Sequence, residues 1–191
     1  KKFANGGEVI VWETGRAGEE AASYENLFLR KEIAGFRTNI RREQSCSIKS
    51  LTRDYLYKQL LSSGEYTFDH MLVIKDPYGE APLTALALFI LEEPARVRVT
   101  TKGNLEVTDF VTELPKKKEH RVPILGMYAE KANDIVIEIL DDEGNCVKSH
   151  TFTIRTKRLP KSLRNVITVK KWTDKPAYSN IMINGGVKIH T

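Results

Sequence analysis

Apolar and polar positions recur along this chain with a period that changes twice. From Lys1 to about Gly64 the spacing is mostly helical. Ser45–Ser63 carries Ile48, Leu51, Tyr55 and Gln59 at steps of three and four, with Leu56 and Leu60 widening the face, and this predicts an amphipathic helix. Gly64 stands just past the last turn, where a left-handed residue ends a helix. Ala17–Ala34 has helix formers and no proline, with a looser stripe through Ala21, Tyr24, Leu27 or Phe28, and Lys31. It predicts a second helix. "GEVIVWETG", near the start, predicts a short strand with Val9 and Val11 on one side.

From Glu65 to about Arg155 the segments become short and alternating, with turn chemistry between them. The expected strands are Tyr66–Lys75, Leu83–Leu91, Ala95–Thr101, Leu105–Thr112, Glu119–Leu125, Asp134–Leu140 and Cys146–Thr156. Leu83–Leu91 is apolar on both faces and is expected to be central and covered. "ARVRVTT" places Ala95, Val97 and Val99 inward and Arg96 and Arg98 outward; Ile135, Ile137 and Ile139 likewise share one side. "DDEGN" (Asp141–Asn145) is a hairpin turn in which Gly144 supplies positive φ. In "KDPYGEAP" Pro77 presets a turn that Gly79 closes, and Pro82 bars ladder donation until Leu83. The expected fold is mainly β, a seven-stranded immunoglobulin-like β-sandwich preceded by a helical N-terminal segment. The Cys…Trp…Cys signature of antibody domains is missing. The expected boundaries are 1–64 for the helical lead-in, 65–156 for the sandwich, and 157–191 for a linker around Pro160 followed by the opening of a further β domain.

Composition narrows the picture. Hydrophobic residues at 41% and charged residues at 29% describe an ordinary globular chain. The longest apolar run, Leu83–Leu91, falls well short of the roughly 18 residues of a membrane span. Net charge is +5, but 25 acidic residues are interspersed with 30 basic ones. The densest basic clusters, Lys116–Lys118 and Arg37, Arg41 and Arg42, lack interleaved aromatics and read as solvated loops, so no nucleic acid is expected as a partner. Neither a secretory leader nor an initiator Met opens the chain, and both ends read as cut, as in a fragment. Cys46 and Cys146 exclude a disulfide scaffold and a four-cysteine zinc site; they either form one bridge or remain free, partly buried thiols.

Candidate chemistry is sparse. His70, His120, His150 and His190 are scattered, without metal-ligand spacing. His120 reads as an edge-strand histidine bonded to a loop, and His150 alternates outward on the last strand. Glu92 and Glu93 are neighbours on a strand and are expected to face opposite ways, which prevents them from sharing a proton. Asp141-Asp142-Glu143 lacks the spacing of a calcium loop and reads as a turn. No catalytic, cofactor-binding or metal residue, and no cofactor, is expected.

Several spaced motifs point further. Asp76-Pro77-Tyr78-Gly79, then Pro82-Leu83-Thr84-Ala85-Leu86, then His120, Pro123, Ile124, Leu125, Gly126 and Tyr128 stand in order between about residues 64 and 160. This stretch resembles the N-terminal immunoglobulin-like domain of bacterial aryl-sulfate sulfotransferases. The resemblance implies an exported, extracytoplasmic parent enzyme that moves a sulfuryl group from a phenolic sulfate ester to a phenol through a sulfated histidine, without a nucleotide sulfate donor. It also implies that this chemistry lies in a C-terminal β-propeller of the same chain, of which residues 157–191 hold only the truncated start. The implied partners are that propeller and a second copy in a homodimer. The stretch matched here would be non-catalytic.

The Ile48/Leu51/Tyr55 stripe must bury itself against the sandwich, the propeller or a second subunit; full cover by its own sandwich would remove it as a docking surface. A different function class fits the same strands: an autonomous immunoglobulin-like adhesion or carbohydrate-binding module of an exported protein.

Overall fold

The computed structural model of the chain describes residues 7–25 and 43–159, the side chains of residues 43–47 and of Glu106 excepted. The elements run β1 (Glu8–Trp12), α1 (Thr14–Ala22), α2 (Glu43–Ser62), β2 (His70–Lys75), β3 (Ala85–Thr101), a 3-10 turn (Glu106–Thr108), β4 (Phe110–Ile124), β5 (Ala132–Leu140) and β6 (Cys146–Arg155).

Six strands form one sheet, in the order β1-β2-β3-β5-β6, with β4 also paired to β3. This corrects the expected seven. Leu83–Leu91 and Ala95–Thr101 are one strand, β3, because the chain passes through Glu92-Glu93-Pro94 without turning. Its register against β4 shifts between Ile90 and Ala95 and again before Val97, so the strand is irregular there rather than ended. Glu119–Leu125 likewise continues an earlier strand through Pro115 to make β4. Leu105–Thr108 is not strand: it closes a turn in which Thr108 N–H bonds Leu105 O at 2.8 Å. β2 begins at His70 rather than Tyr66, since His70 N–H closes a turn on Thr67 O at 3.1 Å. β3 begins at Ala85 rather than Leu83, since Thr84 N–H bonds Ala81 O at 3.0 Å.

The irregularity divides β3 into two halves with different neighbours. Ala85–Leu88 pairs with β2, and Arg96–Thr101 pairs with β5, while β4 accompanies both halves. The inward side chains of the first half, Ala85, Ala87 and Phe89, share one core with Val97 and Val99 of the second and with Ile135, Ile137, Phe152 and Ile154. The sheet therefore doubles back to enclose its own core. The outward side chains of the first half, Leu86 and Leu88, join Leu72 and Ile74 of β2 in a second core. Two apolar faces on one strand were expected, and both are covered.

What covers the second face is the N-terminal part of the chain. β1 pairs in parallel with β2, from Glu8 opposite His70 to Trp12 opposite Ile74. A parallel pair needs a long crossover, and helices supply it. Trp12, Ala17, Ala21, Leu56, Tyr57 and Leu61 all belong to the second core. α1 begins at Thr14, three residues before the expected start, and ends at Ala22, where Ser23 and Tyr24 turn; residues 26–34 of the expected helix lie outside the described residues. The buried face of α2 is also rotated from the expected stripe. Ile48, Thr52, Leu56, Tyr57 and Leu61 are buried, whereas Leu51 is 42% exposed. The helix thus packs on the sheet of its own chain through the rotated face, and the expected stripe is covered only in part: Ile48 is buried, Tyr55 half-buried and Leu51 exposed. The expected terminator is present: Gly64 adopts φ +73°.

Candidate functional site

The recognisable turn at residues 76–79 is a structural joint. Gly79 N–H bonds Asp76 O at 3.0 Å, with Gly79 at φ +81°, and Asp76 Oδ1 accepts from Ala81 N–H at 2.9 Å. One turn of α2 grips it. Arg53 Nη1 donates to Pro77 O at 2.6 Å and to Thr14 Oγ1 at 3.2 Å, and Tyr57 Oη donates to the same Pro77 carbonyl. Gly18 of α1 leaves space for that arginine, since a Cβ there would stand 3.0 Å from Arg53 Nη2. On the outer side, Tyr78 Oη and Arg121 Nη2 both donate to Asp54 Oδ1, at 2.6 and 2.5 Å. Burial pushes the Tyr57 phenol well above its ordinary value. Burial and the bond to Asp54 push that of Tyr78 up to about 12. Both phenols therefore stay protonated donors at neutral pH and are not bases in waiting.

The histidines are structural in three described positions. His120 is buried; its Nε2 donates to Lys117 O at 2.9 Å and its ring stacks on Phe89, and since Lys117 lies within β4 its partner is the strand itself rather than the expected loop. Burial lowers its pKa, outweighing backbone contacts at Lys117 and Ala95 that favour the protonated ring. His150 corrects the expectation of an outward residue. It shares parity with Phe152 and Ile154, so it turns inward, stacks on Phe68, and meets Asp69 Oδ1 through Nε2 at 2.8 Å. A bond from Lys148 and the contact with His150 hold the Asp69 carboxyl below its usual range. His70 pairs with Glu8 at 2.9 Å. His190 lies outside the described residues, as do Arg37, Arg41 and Arg42. Cys146 is a free, exposed thiol rather than a partly buried one; the Cys46 side chain is outside the described set.

The carboxylates are gathered in a way that local pattern did not predict. A groove of about 790 Å³ opens where β3 leaves β2 and before it joins β5. Ile90–Ala95 contributes its floor, the turn before β2 one wall, and the β5–β6 hairpin the other. Glu92 and Glu93 both line it, because they sit in the stretch where the register with β4 breaks and strict strand alternation does not apply. Asp141, Asp142 and Glu143 line it from the hairpin, whose turn is built as expected, with Gly144 at φ +94° and Asn145 N–H bonded to Asp141 Oδ1 at 2.7 Å. Arg96 ties this hairpin to β3 by donating to the carbonyls of Asp141 and Asp142. Among the described residues no group of three metal-ligating side chains comes together. Nor is any described helix long and apolar enough to cross a membrane.

Comparison with known proteins matches residues 72–157 to the family model described as the arylsulfotransferase Ig-like domain. Over 70 residues the chain is 39% identical to the arylsulfate sulfotransferase AssT of Escherichia coli O6:H1. That alignment takes in 35% of this chain and 12% of the relative's length.

Proposed function

We propose that this chain, whose residues 72–157 match the family model described as the arylsulfotransferase Ig-like domain, is the non-catalytic N-terminal part of an aryl-sulfate sulfotransferase that uses no nucleotide sulfate donor. In this reading a C-terminal β-propeller of the same polypeptide transfers the sulfuryl group from a phenolic sulfate ester to a phenol through a sulfated histidine. The Ig-like part, with β1 and the helices packed on it, sits beside that propeller in an extracytoplasmic homodimer.

The observation that carries the proposal is the family match, taken with the 12% share of the relative that the alignment occupies. The histidines add support. His120 and His150 are buried and engaged with Lys117 O and Asp69, so neither is presented to solvent as a nucleophile. The full-length protein, given nitrophenyl sulfate and phenol, is expected to release nitrophenol. Residues 1–191 alone are expected to release none. Turnover by residues 1–191, or an inactive full-length protein, would overturn the proposal.

A further inference from the structure

The groove at the β3 irregularity combines an apolar surface, an acidic lining and a stretch of main chain outside the strand ladders. Its surface is apolar along Phe68, Ile90, Leu91, Pro94 and Ile139, and Val147 stands at its edge 67% exposed. Its lining carries six carboxylates against two lysines, in a chain whose net charge is +5. The carboxylates come from three separate segments, so the negative charge surrounds the opening rather than belonging to one loop. Part of it is already neutralised: Lys148 meets Asp69 at 2.6 Å, and Lys116 meets Asp142 at 2.7 Å. Glu92, Glu93 and Glu143 add to it on the exposed rim.

The main chain of the floor is engaged at its ends, Ile90 N–H bonding Tyr66 O at 2.8 Å and Ala95 pairing with Lys117, but less so between them. The β2 ladder stops at Leu88, the β5 ladder starts at Arg96, and the β4 ladder skips from Ile90 to Ala95. Leu91–Pro94 thus has no cross-strand partner in these ladders. Four extended residues span about 13 Å, room for a short strand of another chain. An aryl sulfate would meet six carboxylates against two lysines, which argues against this groove as a sulfate-ester site.

We propose that the groove seats an extended, lysine- or arginine-bearing segment of a partner protein, with its apolar side chains on the Ile90–Val147 surface and its cations at Glu92, Glu93 and Glu143. Strand addition supplies the register and alternate side chains the specificity. The proposal is independent of the sulfotransferase reading.

The probe is a fluorescein-labelled heptapeptide of alternating leucine and lysine, titrated with the 191-residue chain and followed by anisotropy. Saturable binding that weakens with added salt is expected. The triple variant E92Q/E93Q/E143Q should lose about tenfold in affinity, the size that three exposed ion pairs supply together. These side chains are exposed, and an unchanged thermal melting curve verifies the fold. V147S should weaken binding independently, with the salt dependence kept. No binding by the wild type, equal binding by the triple variant, or equal binding of a serine–lysine peptide would overturn the proposal, the last because simple counterion attraction would then suffice.

Discussion

At the scale of single residues, backbone conformation and burial make demands that can be tested one side chain at a time. Gly126 sits at φ +78°, and a Cβ there would stand 2.7 Å from Phe110 Cβ. Gly126→Ala is therefore expected to destabilise by about 1–3 kcal/mol. Gly15, exposed in the first turn of α1 with nothing within 4 Å, is the control: Gly15→Ala should be neutral or slightly stabilising, and chemical denaturation of both variants checks the contrast. His120 makes a pH prediction. Burial depresses its folded pKa, so the unfolded chain binds a proton that the folded chain refuses. Its contribution is present above the ordinary imidazole value of about 6.5 and is lost as the pH falls from there through the lower folded value. Melting temperatures between pH 7.5 and 5 should fall more steeply for the wild type than for His120→Gln. A parallel pair of curves would contradict this. Sequence pattern identified His120 as a structural histidine, but it misplaced His150, whose facing depends on a parity that Phe152 and Ile154 set through burial.

At the scale of elements, the turn at 76–79 and helix α2 form one unit. The proline and glycine explain why the chain turns there, but not why the turn is held. Arg53 and Tyr57 bond one carbonyl, that of Pro77, reached across 24 and 20 positions of sequence. The face of α2 gives the sharper test. Leu56 is 4% exposed in the second core and Leu51 is 42% exposed. Leu56→Ala should cost about 2–5 kcal/mol, and Leu51→Ala less than about 0.5 kcal/mol. The reverse order in denaturant midpoints would restore the stripe read from spacing alone. That stripe failed because Tyr57 and Thr52 are amphipathic: either can face a core or water, and the bond from Tyr57 to Pro77 decides for the core. Strand number failed for a related reason. "LEEP" and "LPKKK" carry the composition of turns, yet β3 and β4 run through them side by side, because the irregularity at Ile90–Ala95 absorbs the mismatch without reversing the chain.

At the scale of the whole molecule, residues 7–25 and α2 are part of the fold rather than a preface to it. β1 is hydrogen-bonded into the sheet, and the outer face of β2 and β3 is buried by α1 and α2. A chain beginning at Glu65 would expose Leu72, Ile74, Leu86 and Leu88 together. It is expected to self-associate and to bind an apolar dye, whereas the 191-residue chain should not; light scattering and dye fluorescence check this. The sequence by itself determined the mainly β class, the two apolar faces of Leu83–Leu91, the hairpin at Asp141–Asn145 and the resemblance to the arylsulfotransferase Ig-like domain, because each rests on local alternation, turn chemistry or motif order. Only the tertiary structure decided how many strands there are, which face of α2 is buried, that the N-terminal part completes the sheet, and that carboxylates from three segments surround one groove. Those are contacts between residues far apart in the chain, and local period carries no information about which distant surface a face will meet.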